Sequence, residues 1–273
     1  MNGPELLQEN VGRLKSRMGA FFLGSHVMFR GCDLHADLKD MDWVELYVFG
    51  ITGRRFSAKQ LRLLHAIWTY TSYPDARLWN NRVAALAGST RSTGALGVAA
   101  ALAMSEAGIF GQGPGMAAYD FFVSARRQLS QGATLKAVIE EELRTNRGIG
   151  GFGRPLVAKD ERLAPLLALA RQTDLDDGPY LRLAFDVDEA LSAGRWRMKM
   201  NYAAVVPALL LDMGFNRQEH YLYLFPIFLA GMLPCHIEAA QRPEGTLFPL
   251  ACAHLLYEGK PKRQWRRAGT SGD

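Results

Sequence analysis

Two glycine-rich interruptions, Gly108-Ile109-Phe110-Gly111-Gln112-Gly113-Pro114-Gly115 and Gly148-Ile149-Gly150-Gly151-Phe152-Gly153-Arg154-Pro155, break a chain that otherwise runs as apolar segments at helical spacing. Neither composition sustains a helix interior, because glycine and proline are the two poorest residues there. Each is a tight corner or a place where backbone comes close to a ligand or a neighbour. Around them the spacing predicts helices. Ser57 precedes Leu61, Leu64, Ile67 and Trp68, so it caps a helix that ends near Tyr73-Pro74. Gly53 closes an earlier helix from about Asp42. Further helices are expected at 80–87, 93–107, 116–128, 134–145, 162–173, 180–193, 201–213, 219–232 and 247–257. A loose amphipathic pattern over 1–20 predicts an N-terminal helix or arm. The run 93–107 has small residues on every face and reads as a helix buried all round. No strand pair and no internal repeat stand out.

The 273 residues leave room for one large domain or two modest ones. The net charge of +5 suggests nucleic acid until it is located. Residues 259–273 carry +4 of it, through Lys260, Lys262, Arg263, Arg266 and Arg267 against Asp273. The other 258 residues are almost neutral, so the excess is a basic tail, and no nucleic-acid face is expected. Cys32, Cys235 and Cys252 lack metal-ligand or paired spacing, which fits buried thiols in a reducing compartment and no metal site. The N-terminal residues do not read as a secretion signal, so cytoplasm is the expected location. The apolar stretch 221–237 contains Pro226 and Pro234 and is shorter than a bilayer span, so no membrane segment is expected.

Motifs that would identify a chemistry directly are missing. The first glycine-rich break lacks the Lys-Ser/Thr of a phosphate loop and no strand precedes it. His65, His220, His236 and His254 lie on apolar faces without metal-ligand spacing and read as core or rim histidines. No GxSxG nucleophile turn occurs.

Taken in order, several segments resemble the citrate synthase superfamily, especially its short citryl-CoA lyase-like members, over about residues 27–263. Phe29-Arg30-Gly31-Cys32-Asp33-Leu34, followed by Trp43-Val44-Glu45-Leu46 and Gly53, is similar to the family's R-G-Y-x-[IL] opening and the helix after it. The segment from Gly148 to Leu156 looks like the I-P-G-F-G-H-P-L turn. Met200-Asn201-Tyr202-Ala203 resembles the N-V-D segment. Cys235-His236-Ile237-Glu238 resembles the A-H-x-x-E helix with its glutamate one residue early, and Tyr257-Glu258-Gly259 resembles the terminal Y-x-G.

The resemblance implies an all-α fold with a large helical domain (1–154 and 216–273), a small helical domain (155–215) and a cleft between them. It also implies a homodimer, a CoA thioester or small organic acid as ligand, and no required cofactor. Family catalysis uses an aspartate base and two polarising histidines. Here Gly111 stands at the first histidine, Arg154 at the second and Ala203 at the aspartate. Ser72 stands near a further histidine that helps bind the oxoacid, and Leu229 replaces a carboxylate-binding arginine. Alanine cannot abstract a proton and arginine stays protonated, so the usual enolisation is not expected.

Arg162, in Asp160-Glu161-Arg162, resembles the arginine of the D-P-R element that grips a carboxylate. Arg242-Pro243 resembles an R-P element that reaches toward a partner subunit's site. Arg154 suits bidentate binding of a carboxylate or phosphate, or equally a structural salt bridge. The candidate catalytic residues are Arg154 and Arg162, and the candidate substrate-binding set is Ser72, Gly111, Gln112, Arg154, Arg162, Asn201, Tyr202 and Arg242. Two functions fit these residues. One is a diverged lyase or carbon–carbon bond-forming transferase, favoured by the ordered glycine turns. The other is a catalytically silent binding or regulatory protein, favoured by the three lost catalytic positions.

Overall fold

The computed structural model describes residues 3–153, 159–194, 196, 198–244, 246 and 252–261. Its helices are α1 (Gly3–Asn10), α2 (Trp43–Thr52), α3 (Ala58–Thr71), α4 (Trp79–Ser89), α5 (Gly94–Met104), α6 (Gln112–Ser130), α7 (Leu135–Asn146), α8 (Leu163–Gln172), α9 (Pro179–Ala193), α10 (Tyr202–Asp212), α11 (Arg217–Leu224) and α12 (Leu229–Gln241). The fold is all-helical except for a small antiparallel meander, β1 (Gly19–Phe22), β2 (His26–Phe29) and β3 (Cys32–Asp33), in that order.

Helix starts follow local chemistry. Asp42, Ser57, Thr93, Thr134 and Asn216 each accept a backbone N–H from the first turn of α2, α3, α5, α7 and α11, and Ser57 and Asn216 complete capping boxes with Gln60 and Glu219. Several helix ends are closed from outside by arginine. Arg30, itself in the left-handed region at φ 48°, donates from Nε to the Gly50 carbonyl at 2.7 Å and from Nη2 to Ile51 at 3.2 Å. Arg91, at φ 60°, reaches the Ala240 and Arg242 carbonyls at the end of α12, and Arg54 reaches Gly214 after α10. Each cation satisfies carbonyls that the helix leaves open, at the negative end of its dipole.

The main core lies between α2, α3, α6, α8, α9, α10 and α11, with Leu63, Ile67, Phe122, Leu166, Leu181, Leu209 and Tyr223 fully buried. Aromatic side chains tie its layers together through backbone carbonyls. Tyr223 donates to Leu64 at 2.7 Å, Tyr47 to Leu222 at 2.7 Å, Trp68 to Tyr223 at 3.2 Å and Tyr119 to Phe215 at 3.1 Å. Each buries a large ring without leaving its polar atom orphaned. The helices α4, α5 and α12 pack together around Ala84, Val98, Ala101 and Met232. Their approach is close: a Cβ on Gly88 would sit 2.3 Å from the His236 carbonyl, and one on Gly97 2.6 Å from the Ala87 Cβ.

Several expectations need correcting. The first twenty residues do not form one helix, since α1 stops at Asn10 and β1 begins at Gly19. Strands do pair here, because Phe21-Phe22 and His26-Val27-Met28-Phe29 flank a three-residue loop with Gly24 at φ 69°, a conformation that suits glycine. The 108–115 break is shorter than expected, as α6 begins at Gln112 and carries Gly113, Pro114 and Gly115 in its first turn, where proline's missing N–H costs little. Helix α5 is not buried all round: Gly97, Val98 and Ala101 face inward, while Leu96 and Met104 are exposed. The expected 219–232 helix is two helices, parted by a turn at 225–228 that contains Pro226. The combined stretch Arg217–Gln241, with hydropathy 1.5, is long and apolar enough to cross a bilayer by composition. In the fold it folds back on the protein, with Gly231, Met232 and Cys235 of α12 buried. Only the latter part of the expected 247–257 helix lies in the described residues, and there it is one 3-10 turn, Cys252–His254, followed by irregular chain.

Candidate functional site

The 148–153 loop seats its backbone between the first turns of α6 and α10. A Cβ on Gly150 would lie 2.6 Å from both the Ala118 nitrogen and the Pro114 carbonyl. At Gly151 the backbone has φ 79°, and a Cβ would lie 2.5 Å from the Ala204 nitrogen. Only glycine fits either position without displacing a helix. The loop is pinned by Asn201 N–H to the Gly151 carbonyl at 2.9 Å and Gly153 N–H to the Lys199 carbonyl at 2.7 Å. Asn201 also donates from Nδ2 to the Gly153 carbonyl at 2.8 Å and accepts the Ala203 N–H on Oδ1 at 2.9 Å, so it caps α10 and clamps the loop at once.

This junction opens on a cleft of about 1180 Å³. Trp79, Phe110, Phe121, Phe152, Ile227 and Phe228 give it a largely apolar wall. Gly111, Gln112, Arg162, Asn201, Tyr202 and Ala203 share it. Ser72 is not part of the lining, and its hydroxyl donates to the Trp68 carbonyl at 2.8 Å. Arg242 also lies elsewhere, ion-paired with Glu238 at the end of α12. Arg154 lies outside the described residues.

Arg162 is held by its own neighbourhood. Its Nε and Nη2 fork onto the two oxygens of Asp160, both at 2.8 Å, and its guanidinium lies 4.4 Å from the Tyr202 ring centroid and 5.8 Å from that of Tyr73. Asp160 also accepts the Tyr202 N–H at 3.0 Å. Burial pushes the Asp160 carboxyl up, but the hydrogen bonds and charge of Arg162, with the Tyr202 N–H, outweigh it and hold the group below the usual range. Tyr202 donates its hydroxyl to the Ile67 carbonyl at 2.9 Å, and burial raises its pKa. Tyr73 donates to Glu161 at 2.8 Å and is pushed up to about 12 by burial and by that carboxylate. Neither phenol is a ready proton acceptor near neutrality.

The sequence reading missed Thr71, Arg77, Trp79, Asp120, Glu142 and Asn146, which also line the cleft. Arg77 forks onto Asp75, Asp120 pairs with Arg217, and Glu142 accepts from Asn146. No histidine, lysine or cysteine is among the described residues of the lining. Among the described residues no three His, Cys, Asp or Glu side chains gather as a metal site would require. Two features could have been read from sequence: Trp79 follows the Pro74 break at the start of a helix, and the Asp160–Arg162 spacing suits a local fork.

One polar atom of the cleft wall is left over. Gln112 is buried, its backbone N–H donates to the Ser105 carbonyl at 2.9 Å and its Nε2 donates to the Leu224 carbonyl at 3.2 Å. Its Oε1 has no partner.

No protein-family model matches the chain, and no curated protein matches it in sequence. Solved structures do. The chain is similar to citryl-CoA lyase from Hydrogenobacter thermophilus, with TM-score 0.79 and 19% identity over 92% of this chain and 97% of that one. It is similar to ATP citrate lyase from Methanothrix soehngenii, in complex with citrate and coenzyme A, with TM-score 0.73 and 16% identity over 95% of this chain and 44% of that one. It also matches citrate synthase from Thermoplasma acidophilum, in a ternary complex with carboxymethyl coenzyme A and oxaloacetate, at TM-score 0.62 and 18% identity over 83% of this chain and 59% of that one. The chain therefore has the citrate synthase-like fold.

Proposed function

We propose that this chain binds a CoA thioester or a small organic acid in the cleft and does not enolise it. The carrying observation is the state of Asp160, the buried carboxylate of the lining. Four hydrogen-bond donations, three from Arg162 (two side-chain, one backbone) and one from Tyr202, hold it ionised and occupied, and Ala203 supplies no base. A carboxylate so held is a poor proton acceptor. The ligands in the neighbours' complexes, coenzyme A, citrate and oxaloacetate, support the ligand class. What favours a binding protein over a diverged lyase or transferase is that the groups that would orient a reacting molecule are already committed, Arg162 and Tyr202 to Asp160 and to each other, and Asn201 to the glycine loop and the start of α10.

The protein acts as a homodimer in the cytoplasm, free of nucleic acid and membrane, without a required cofactor. Residues 155–215 serve as its smaller domain. The exposed apolar side of α5, with Leu96 and Met104 beside four exposed alanines, supports the dimer, because such a face is costly to leave in water.

The test is a thermal-shift titration with CoA, acetyl-CoA, oxaloacetate, citrate and pyruvate, paired with proton NMR of acetyl-CoA in deuterium oxide. A ligand at about 100 times its Kd stabilises the fold by about 2.7 kcal/mol. The expected result is a shift with at least one compound and no deuterium entering the acetyl methyl group. No shift with any of them overturns the binding reading, and deuterium incorporation overturns the absence of enolisation.

A further inference from the structure

From the unpaired polar atoms of the cleft we infer that it selects a ligand whose inner end carries a neutral hydrogen-bond donor, a hydroxyl or an amide N–H, and not a carboxylate. This rests on the proposed use of the cleft for an acyl ligand and names the kind of acyl group.

Gln112 carries the first half of the inference. Its amide orientation is fixed, because Nε2 is the end that donates to the Leu224 carbonyl. Oε1 is then the end without a partner, in a side chain with 3% exposure that lines the cleft. An unpaired buried acceptor costs free energy until something donates to it. Backbone chemistry adds a second acceptor nearby. Pro207 lies inside α10 and has no N–H, so it cannot close the helical hydrogen bond onto the carbonyl of Ala203 four residues earlier. Ala203 and Pro207 both line the same cleft. The lining residues thus hold two uncharged acceptors, one buried without a partner and one without its helical donor, and a donor on the ligand would answer them.

Charge supplies the other half. The two described arginines of the lining, Arg77 and Arg162, each turn a two-nitrogen fork onto a carboxylate two residues away, Asp75 and Asp160. Glu142 adds negative charge to the same wall, while Asp120 is matched by Arg217. A ligand carboxylate set against Gln112 Oε1 would bring acceptor to acceptor, with the nearby guanidinium already matched. A hydroxyl or amide avoids that conflict and leaves the apolar wall of Trp79, Phe110 and Phe228 to cover the rest of the acyl chain.

The experiment is calorimetric titration of the full chain with three CoA thioesters, butyryl, 3-hydroxybutyryl and succinyl, repeated with the corresponding N-acetylcysteamine thioesters, which lack the nucleotide phosphates. We expect the hydroxylated acyl group to bind at least tenfold more tightly than butyryl, and succinyl to bind no better than butyryl. Gln112→Met, checked for native unfolding behaviour, should shrink the hydroxyl preference to below threefold. The wild-type comparison alone decides the matter if that variant fails to fold. Equal affinities for the hydroxylated and plain chains in both series, or tightest binding of succinyl, overturns the inference. A hydroxyl preference in the short thioesters with no binding of the CoA forms upholds it and overturns the CoA reading instead.

Discussion

The guanidinium of Arg162 lies over the ring of Tyr202 at 4.4 Å from its centroid, while Tyr202 sends its backbone N–H to the carboxylate that neutralises that same guanidinium, Asp160. The three groups form a closed unit in which each charge or polar atom is answered by another. Removing one member leaves the rest buried and unmatched. Asp160→Ala is therefore expected to cost about 3–5 kcal/mol, measured as a lower urea midpoint at pH 7, with Arg162→Met no less harmful because it strands the Asp160 carboxylate, the more deeply buried of the two charges. Since Asp160 is held below its ordinary value of 3.8, its contribution is present above that pH and is lost as pH falls through its lower folded value.

A different window belongs to His220. It is fully buried on α11, with its ring 5.0 Å from that of Tyr119, Nδ1 3.2 Å from Met116 Sδ, and Nε2 without a partner. Burial pushes it down to about 4 from 6.5, with Asp120 opposing and Arg217 assisting. The folded protein keeps it neutral while the unfolded chain protonates it. Stability is thus full above about pH 6.5 and drains as pH falls toward 4, by roughly 3 kcal/mol over the whole window. Urea midpoints at pH 7, 6, 5 and 4.5 should show this slope in the wild type and a flatter one in His220→Phe.

The glycine loop is the least tolerant segment. Gly151→Ala must adopt φ 79° with a Cβ against the first turn of α10, so a loss of more than about 2 kcal/mol is expected, with weakened ligand binding because the cleft wall shifts. Gly132→Ala makes a control: its φ of 95° imposes a similar backbone penalty, but a Cβ there meets nothing within 4 Å. A Gly151 variant no more harmful than the Gly132 one would contradict the wedged arrangement.

The proposed dimer has its own test. Leu96 and Met104 are 67% and 52% exposed on the outer side of α5. A Leu96→Asp, Met104→Asp double variant should elute as a monomer in light scattering at concentrations where the wild type is twice the chain mass, with far-UV circular dichroism unchanged. A monomeric wild type would refute the assignment.

Much of this architecture was legible in the sequence because caps and glycines act locally. Asp42, Ser57, Thr93 and Thr134 each mark a helix start that depends only on the next three residues. The meander was overlooked because its strands have at most four residues, although the Gly24-Ser25 turn between Phe21-Phe22 and Val27-Met28 carried the signal. Helix α5 misled for another reason: an apolar surface looks the same in sequence whether its neighbour is the same chain or none. The cleft was half legible. Arg162, Gln112 and Asn201 could be named and the Asp160–Arg162 fork is local, yet the donation of Tyr202 to Asp160 and the unanswered oxygen of Gln112 arise only when segments far apart along the chain come alongside.

The floor of the cleft is main chain. Gly150 and Gly151 meet α6 and α10 through backbone atoms, so the residues that hold the two helices in place have no reactive group to lose. Side chains on the walls can then be replaced one at a time while the scaffold beneath them keeps its shape. The shape of the hollow and the chemistry of its walls are thus held by different parts of the chain, and one can change without the other.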